Sequence, residues 1–183
     1  METGSHWDGI ARREPDDFAT PATGVTQGGT IVESPRDLAS DARAAEVERV
    51  VQQASRWAAT RPDIRALLLV GSWTRRAARS DSDVDLVVLT TTPDFYTPDG
   101  VWTRELDAVE ISRVQQWGSI AERRLVLPSG LEVEIDIGPL VWAQADPVDA
   151  GTRRVVTDGC RILYDPDDHL QRLIVACGIH GPS

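Results

Sequence analysis

Cysteine is scarce: Cys160 and Cys177 are the only two among 183 residues. Two cysteines cannot build a disulfide framework or a four-cysteine zinc site, and they read as small core hydrophobes. Long apolar runs are also missing. Nothing nears the roughly 20 apolar residues that a membrane-crossing helix needs. The first twenty residues are acidic and hold no apolar stretch. No signal peptide and no membrane partner are therefore expected, and a reduced, cytoplasmic setting is the expectation. Positive charge is in short supply, with 19 basic against 29 acidic residues and a formal net charge of -10. Duplex affinity rests on basic side chains that neutralise phosphates, so general nucleic-acid binding is not expected. A cationic partner or a metal ion suits such a surface better. Acidity of this kind also simply keeps a surface soluble.

What is present suits one domain with a real core. Hydrophobic residues make up 41% and charged residues 26%, an ordinary globular balance. Residues 1–33 are rich in Gly, Thr, Pro and Asp and read as a flexible tail, with a domain expected over 34–178. Ser34-Pro35-Arg36-Asp37 carries a helix start signal. Val47, Val50, Val51, Ala54, Trp57 and Ala58 then recur at helical spacing, and Arg61-Pro62 ends the helix. Ile64 to Val70 and Val84 to Leu89 are short apolar runs that read as buried strands. Trp73 to Ala78 is expected as a short helix between them. A third strand is expected over Val109 to Val114. Ile120 to Leu127 and Leu131 to Ile137 flank Pro128-Ser129-Gly130, the pattern of a hairpin. Pro147 to Val156 is expected to be helical, Cys160 to Leu163 a strand. Asp165-Pro166-Asp167-Asp168 opens a last helix with the stripe Leu170, Leu173, Ile174 and Cys177. Strands alternating with helices, plus a hairpin, predict an α/β fold with a mixed sheet flanked by helices.

The chemistry concentrates between Gly71 and Val88. A buried strand ends in Gly71-Ser72. Glycine lets the backbone approach a ligand closely, and a helix beginning there would offer N–H groups to a phosphate. The Ser72 hydroxyl adds a donor. Asp83 and Asp85 are one residue apart, so on a strand they share a face, opposite Val84 and Leu86. Two carboxylates on one face repel each other unless a cation sits between them. Mg²⁺ takes oxygen ligands from carboxylates and from substrate phosphates. Farther on, Leu131 to Ile137 alternates strictly, placing Glu132, Glu134 and Asp136 on one face. That face is either solvated or a metal and base face. Arg75 and Arg79 are either phosphate contacts or solvated arginines. Trp73, Trp117 and Trp142 are more in keeping with core packing than with base stacking.

Gly-Ser, ten intervening residues, then Asp83-Val84-Asp85 with apolar residues behind resembles the signature of the polymerase-beta-like nucleotidyltransferase superfamily. Arg75, Ala78, Arg79 and Ser82-Asp83 give it the look of small bacterial antibiotic and minimal nucleotidyltransferase domains. The resemblance covers residues from about 45 to about 175. It implies the nucleotidyltransferase fold. It further implies that Gly71 and Ser72, with Arg75 and Ser82, hold ATP or another nucleoside triphosphate. Asp83 and Asp85 would bind Mg²⁺, two ions in all, and a third acid would complete the metal site or act as general base. Glu134 is favoured for that role and Asp136 is the close alternative. The implied reaction moves a nucleoside monophosphate, AMP foremost, to a hydroxyl of a small molecule such as an antibiotic. A partner protein of a toxin–antitoxin pair is the other acceptor, and a catalytically inactive binding domain the third reading. Little chain remains after residue 165 to hold a drug, a wall that a homodimer partner would supply. Family members often carry Gly a few residues after Gly-Ser, where this chain has Arg76.

Overall fold

The computed structural model describes residues 40–75, 77–96 and 100–179. The expected tail over 1–33, the start signal at Ser34 to Asp37, and Arg76 lie outside the described residues. The first described helix, α1, spans Asp41–Ala59, and Ser40 caps it by accepting the Arg43 N–H. Strands β1 (Ile64–Val70) and β2 (Val84–Thr90) follow. Then come β3 (Glu110–Trp117), β4 (Ile120–Val126) and β5 (Glu132–Pro139). Helix α2 (Ala150–Thr157), β6 (Cys160–Tyr164) and α3 (His169–Ala176) complete the order.

The six strands form one mixed sheet in the order β3-β4-β5-β2-β1-β6. Only β2 and β5 run parallel; every other neighbouring pair is antiparallel. The α/β class and the hairpin across Pro128-Ser129-Gly130 are as expected from the sequence. The third strand runs three residues beyond its expected end and turns through Gly118-Ser119 into β4, a second hairpin. Gly118 has φ +59, the left-handed conformation that a two-residue turn asks for. Helix α2 starts three residues after the expected Pro147, where the Asp149 carboxylate accepts from the Gly151 and Thr152 N–H groups. At α3 the work of the cap falls to Asp165, whose carboxylate accepts from the Gln171 N–H.

Strand alternation sends apolar side chains to both faces, so the sheet carries two cores. Leu67, Leu69, Leu86, Val88, Val133 and Ile135 pack on the α1 side with Val47, Val51 and Trp57. Leu68, Val70, Val87 and Leu89 pack on the other side with Trp142, Val155, Leu170 and Leu173. A sheet buried on both faces explains the near-continuous apolar runs of β1 and β2.

Asp63, just before β1, ties down the segment after β2. Its Oδ2 accepts from Tyr96 Oη at 2.6 Å, Thr90 Oγ1 at 2.9 Å and Thr92 Oγ1 at 3.2 Å. Tyr96 is fully buried against Trp57 and Trp102. Burial pushes the Asp63 carboxyl up, but the hydrogen bonds from Tyr96, Thr90 and Thr92 outweigh it and the net shift is downward. Burial, then the bond to Asp63, raises the Tyr96 hydroxyl above its ordinary value. A lowered carboxyl stabilises the fold above its ordinary value of about 3.9 and loses that contribution as pH falls. A raised phenol contributes fully below about 10 and loses its contribution as pH rises. Tyr96→Phe is therefore expected to lower stability by about 1.5 kcal/mol at neutral pH and to flatten both limbs of a stability–pH curve. Urea denaturation from pH 3 to 11 checks this; parallel wild-type and variant curves would contradict it.

Candidate active site

The site is assembled by strand register. Asp85 of β2 stands beside Glu134 of β5, and Glu134 stands beside Arg124 of β4. On the other flank Asp85 is opposite Val70 of β1, which leads straight into Gly71-Ser72. One row across four strands therefore reads Arg124, Glu134, Asp85, Val70, and Asp83 lies just before β2. Asp83, Asp85 and Glu134 each offer a carboxylate oxygen within 4.8 Å of the others. The two aspartates are half-buried and Glu134 is 1% exposed.

The acids of β5 are not equivalent. Glu132 is 43% exposed at the rim, while Glu134 and Asp136 are buried. A solvated face is thereby excluded for the latter two. Asp136 stands beside Val87 rather than an acid of β2. Its acidic neighbours are Glu122 and Glu134, a second group of carboxylate oxygens within 4.8 Å of one another. Glu122 is held by Trp117 Nε1–H at 2.7 Å and Arg113 Nε at 3.1 Å. Trp117 thus serves a buried acid, Trp142 lies in the core on the face away from α1, and Trp73 packs against the α1-side core.

The Gly71-Ser72 segment departs from expectation. In place of a helix over Trp73 to Ala78, a single 3₁₀ turn spans Ser72–Thr74. The N–H groups of Thr74 and Arg75 are spent within it, on Gly71 O and Ser72 O. No helix dipole points at the site from here. Ser82 closes the rest of the loop: its Oγ accepts the Arg79 N–H at 2.9 Å, which competes with helical hydrogen bonding. Gly71 itself has φ +78, and a β-carbon there would run into Asp85 Oδ2. The backbone at Gly71 lies against the carboxylate because the residue is glycine.

The structure therefore brings Gly71, Ser72, Asp83, Asp85 and Glu134 to one place and sets Asp136 behind them. Arg75 is turned toward Asp158, donating from Nη1 to its carbonyl at 3.1 Å. Arg79 is exposed and pairs with Asp81 at 3.4 Å. Sequence reading missed Arg124, whose Nη2 lies 2.7 Å from Glu134 Oε2 and 3.3 Å from Asp83 Oδ2, and whose Nη1 lies 3.2 Å from Glu132 Oε2. Its only signal was its place in β4, and the hairpin register opposite Glu134 was the means to find it. The chain has no lysine, so every side-chain cation near the site is an arginine or a histidine.

An oxygen-only set of three carboxylates, drawn together against their own repulsion, fits a hard divalent ion. The close approach of Gly71 to Asp85 leaves that carboxylate beside a bare backbone, with no side chain between them.

No protein-family model matches the chain, and no curated protein matches it. Among solved structures it is similar to Cid1 in complex with its short product ApU, at 21% identity and TM-score 0.42, covering 54% of this chain and 32% of that one. It is also similar to a cytoplasmic RNA terminal U-transferase, at 21% identity and TM-score 0.42, covering 54% and 31%. A third is the polymerase core of TRAMP, an RNA surveillance complex, at 20% identity and TM-score 0.39, covering 54% and 33%. The match spans about a third of the length of each of those chains.

Proposed function

We propose that this chain is a metal-dependent nucleotidyltransferase of the polymerase-beta-like superfamily. The observation that carries the reading is the convergence of Asp83, Asp85 and Glu134 within 4.8 Å, beside the Gly71-Ser72 turn. Glu134 rather than Asp136 is assigned as the third carboxylate, because register puts Glu134 beside Asp85 and Asp136 beside Val87. Asp83, Asp85 and Glu134 would hold Mg²⁺, which supplies charge stabilisation for the attacking and leaving oxygens. Gly71 and Ser72 hold the triphosphate against the carboxylates. The acceptor hydroxyl oxygen bonds to the α-phosphorus, the α–β bridging P–O bond breaks, pyrophosphate leaves, and the hydroxyl proton passes to a site carboxylate or solvent. Positioning and electrostatics do the work, as in phosphoryl transfer generally.

ATP is the co-substrate we favour, and a small-molecule hydroxyl the acceptor. The net charge of -10 favours a cationic acceptor over a polyanion. Free Cys160 and Cys177, whose thiols burial raises above their ordinary values, suit a reduced cytoplasmic setting. No helix among the described residues is long and apolar enough to cross a membrane. The test is to incubate the chain with Mg²⁺, α-labelled ATP and one acceptor at a time: an aminoglycoside, a partner protein, an RNA oligonucleotide. Label on the aminoglycoside with equimolar pyrophosphate is the expected result. Release of phosphate and nucleoside diphosphate instead would place attack at the γ-phosphorus and overturn nucleotidyl transfer.

A further inference from the structure

We infer that Arg124 is the internal counter-ion of the metal-free site and gives way when a divalent ion binds, an inference that rests on the proposed metal role of the carboxylates. Four acids converge on this one guanidinium's neighbourhood: Asp83, Asp85, Glu132 and Glu134. Asp83, Asp85 and Glu134 carry like charges within 4.8 Å, and the repulsion must be offset for the chain to fold without metal. Arg124 supplies the offset. Its Nη2 is shared between Glu134 Oε2 and Asp83 Oδ2, oxygens of two of the three proposed ligands. A divalent ion and a guanidinium on the same oxygens repel each other at contact distance, so the two cations compete.

The geometry also provides the retreat. Glu132 lies two residues from Glu134 on the same face of β5, at the solvent rim, and already holds Nη1 at 3.2 Å. Arg124 can turn about that contact, keep a charged partner, and release Asp83 and Glu134. Its side chain is 24% exposed, so the rim is open to it. The guanidinium then stays next to the bound metal and polyphosphate without occupying the ligand oxygens.

The experiment is Mn²⁺ binding to the nucleotide-free full chain, by calorimetry, together with thermal unfolding with and without Mn²⁺. Arg124→Gln removes a positive charge from the ligand oxygens and is expected to bind Mn²⁺ about tenfold more tightly than wild type, a difference of roughly 1.4 kcal/mol. It is also expected to melt lower without metal and to gain more from Mn²⁺. Glu132→Gln, which weakens the retreat and spares every proposed ligand, is expected to bind Mn²⁺ more weakly by a few-fold. This second variant decides the matter should Arg124→Gln not fold. Wild-type Mn²⁺ binding that neither variant changes in the stated direction overturns the role of Arg124 and leaves the transferase reading standing. Failure of wild type and both variants to bind Mn²⁺ overturns both.

Discussion

Replacing Gly71 by alanine is expected to lower stability by about 2–4 kcal/mol and to weaken metal-dependent nucleotide binding at least about tenfold. Two costs add. The backbone at Gly71 has φ +78, where a side chain is strained. The new β-carbon also meets Asp85 Oδ2, so either the turn or the carboxylate must shift. A shift of the turn displaces the end of β1, and a shift of Asp85 disperses the carboxylates. Gly130 makes the matched control. It also has a positive φ, +79, but nothing lies within 4 Å of the β-carbon it would gain. Gly130→Ala should show the backbone cost alone and leave nucleotide binding intact. Urea denaturation and nucleotide calorimetry on both variants check this. Equal effects on binding from the two substitutions would contradict the close approach at Gly71.

Asp85→Asn is expected to separate stability from function. The substitution is close in size, keeps a hydrogen-bonding side chain and removes one of three clustered like charges, so the metal-free fold should lose little stability. Metal-dependent nucleotide binding should weaken by at least about 100-fold, or roughly 2.7 kcal/mol. A structural ion pair gives the opposite pattern, because removing one partner of a buried pair leaves an uncompensated charge. Thermal unfolding without metal, set beside nucleotide calorimetry with Mg²⁺, reads the two effects separately. A marked loss of stability with unchanged binding would make Asp85 structural.

Much of this site is visible in the sequence because it follows strand periodicity. Asp83-Val84-Asp85 and the alternation from Leu131 to Ile137 state which side chains share a face. Periodicity cannot choose between Glu134 and Asp136, since both point the same way. The parallel register of β2 on β5 makes the difference, and register is a property of two segments about fifty residues apart. Arg124 was hidden for the same reason: Arg123-Arg124 looks like ordinary strand charge until the hairpin sets Arg124 opposite Glu134. The Asp63 cluster is equally non-local, its partners lying 27 to 33 residues away. The misread segment was Trp73 to Ala78. Its Ala and Arg content favours helix, but the left-handed backbone at Gly71 and the Arg79–Ser82 bonds bend the loop toward Asp83 after one turn. The hydrophobic runs, by contrast, are sufficient for β1, β2 and the buried face of α1, because burial dominates there, while the start of α1 is set by the Ser40 cap and not by the signal at Ser34.

The most direct measurement is calorimetry of ATP and GTP binding, with and without Mg²⁺, on the full chain and on an Asp83→Asn, Asp85→Asn double variant. Binding that needs Mg²⁺ in the wild type and disappears in a folded double variant is the predicted result. Nucleotide affinity indifferent to Mg²⁺ and to both substitutions, or no binding in wild type, would contradict a metal-dependent nucleotidyltransferase.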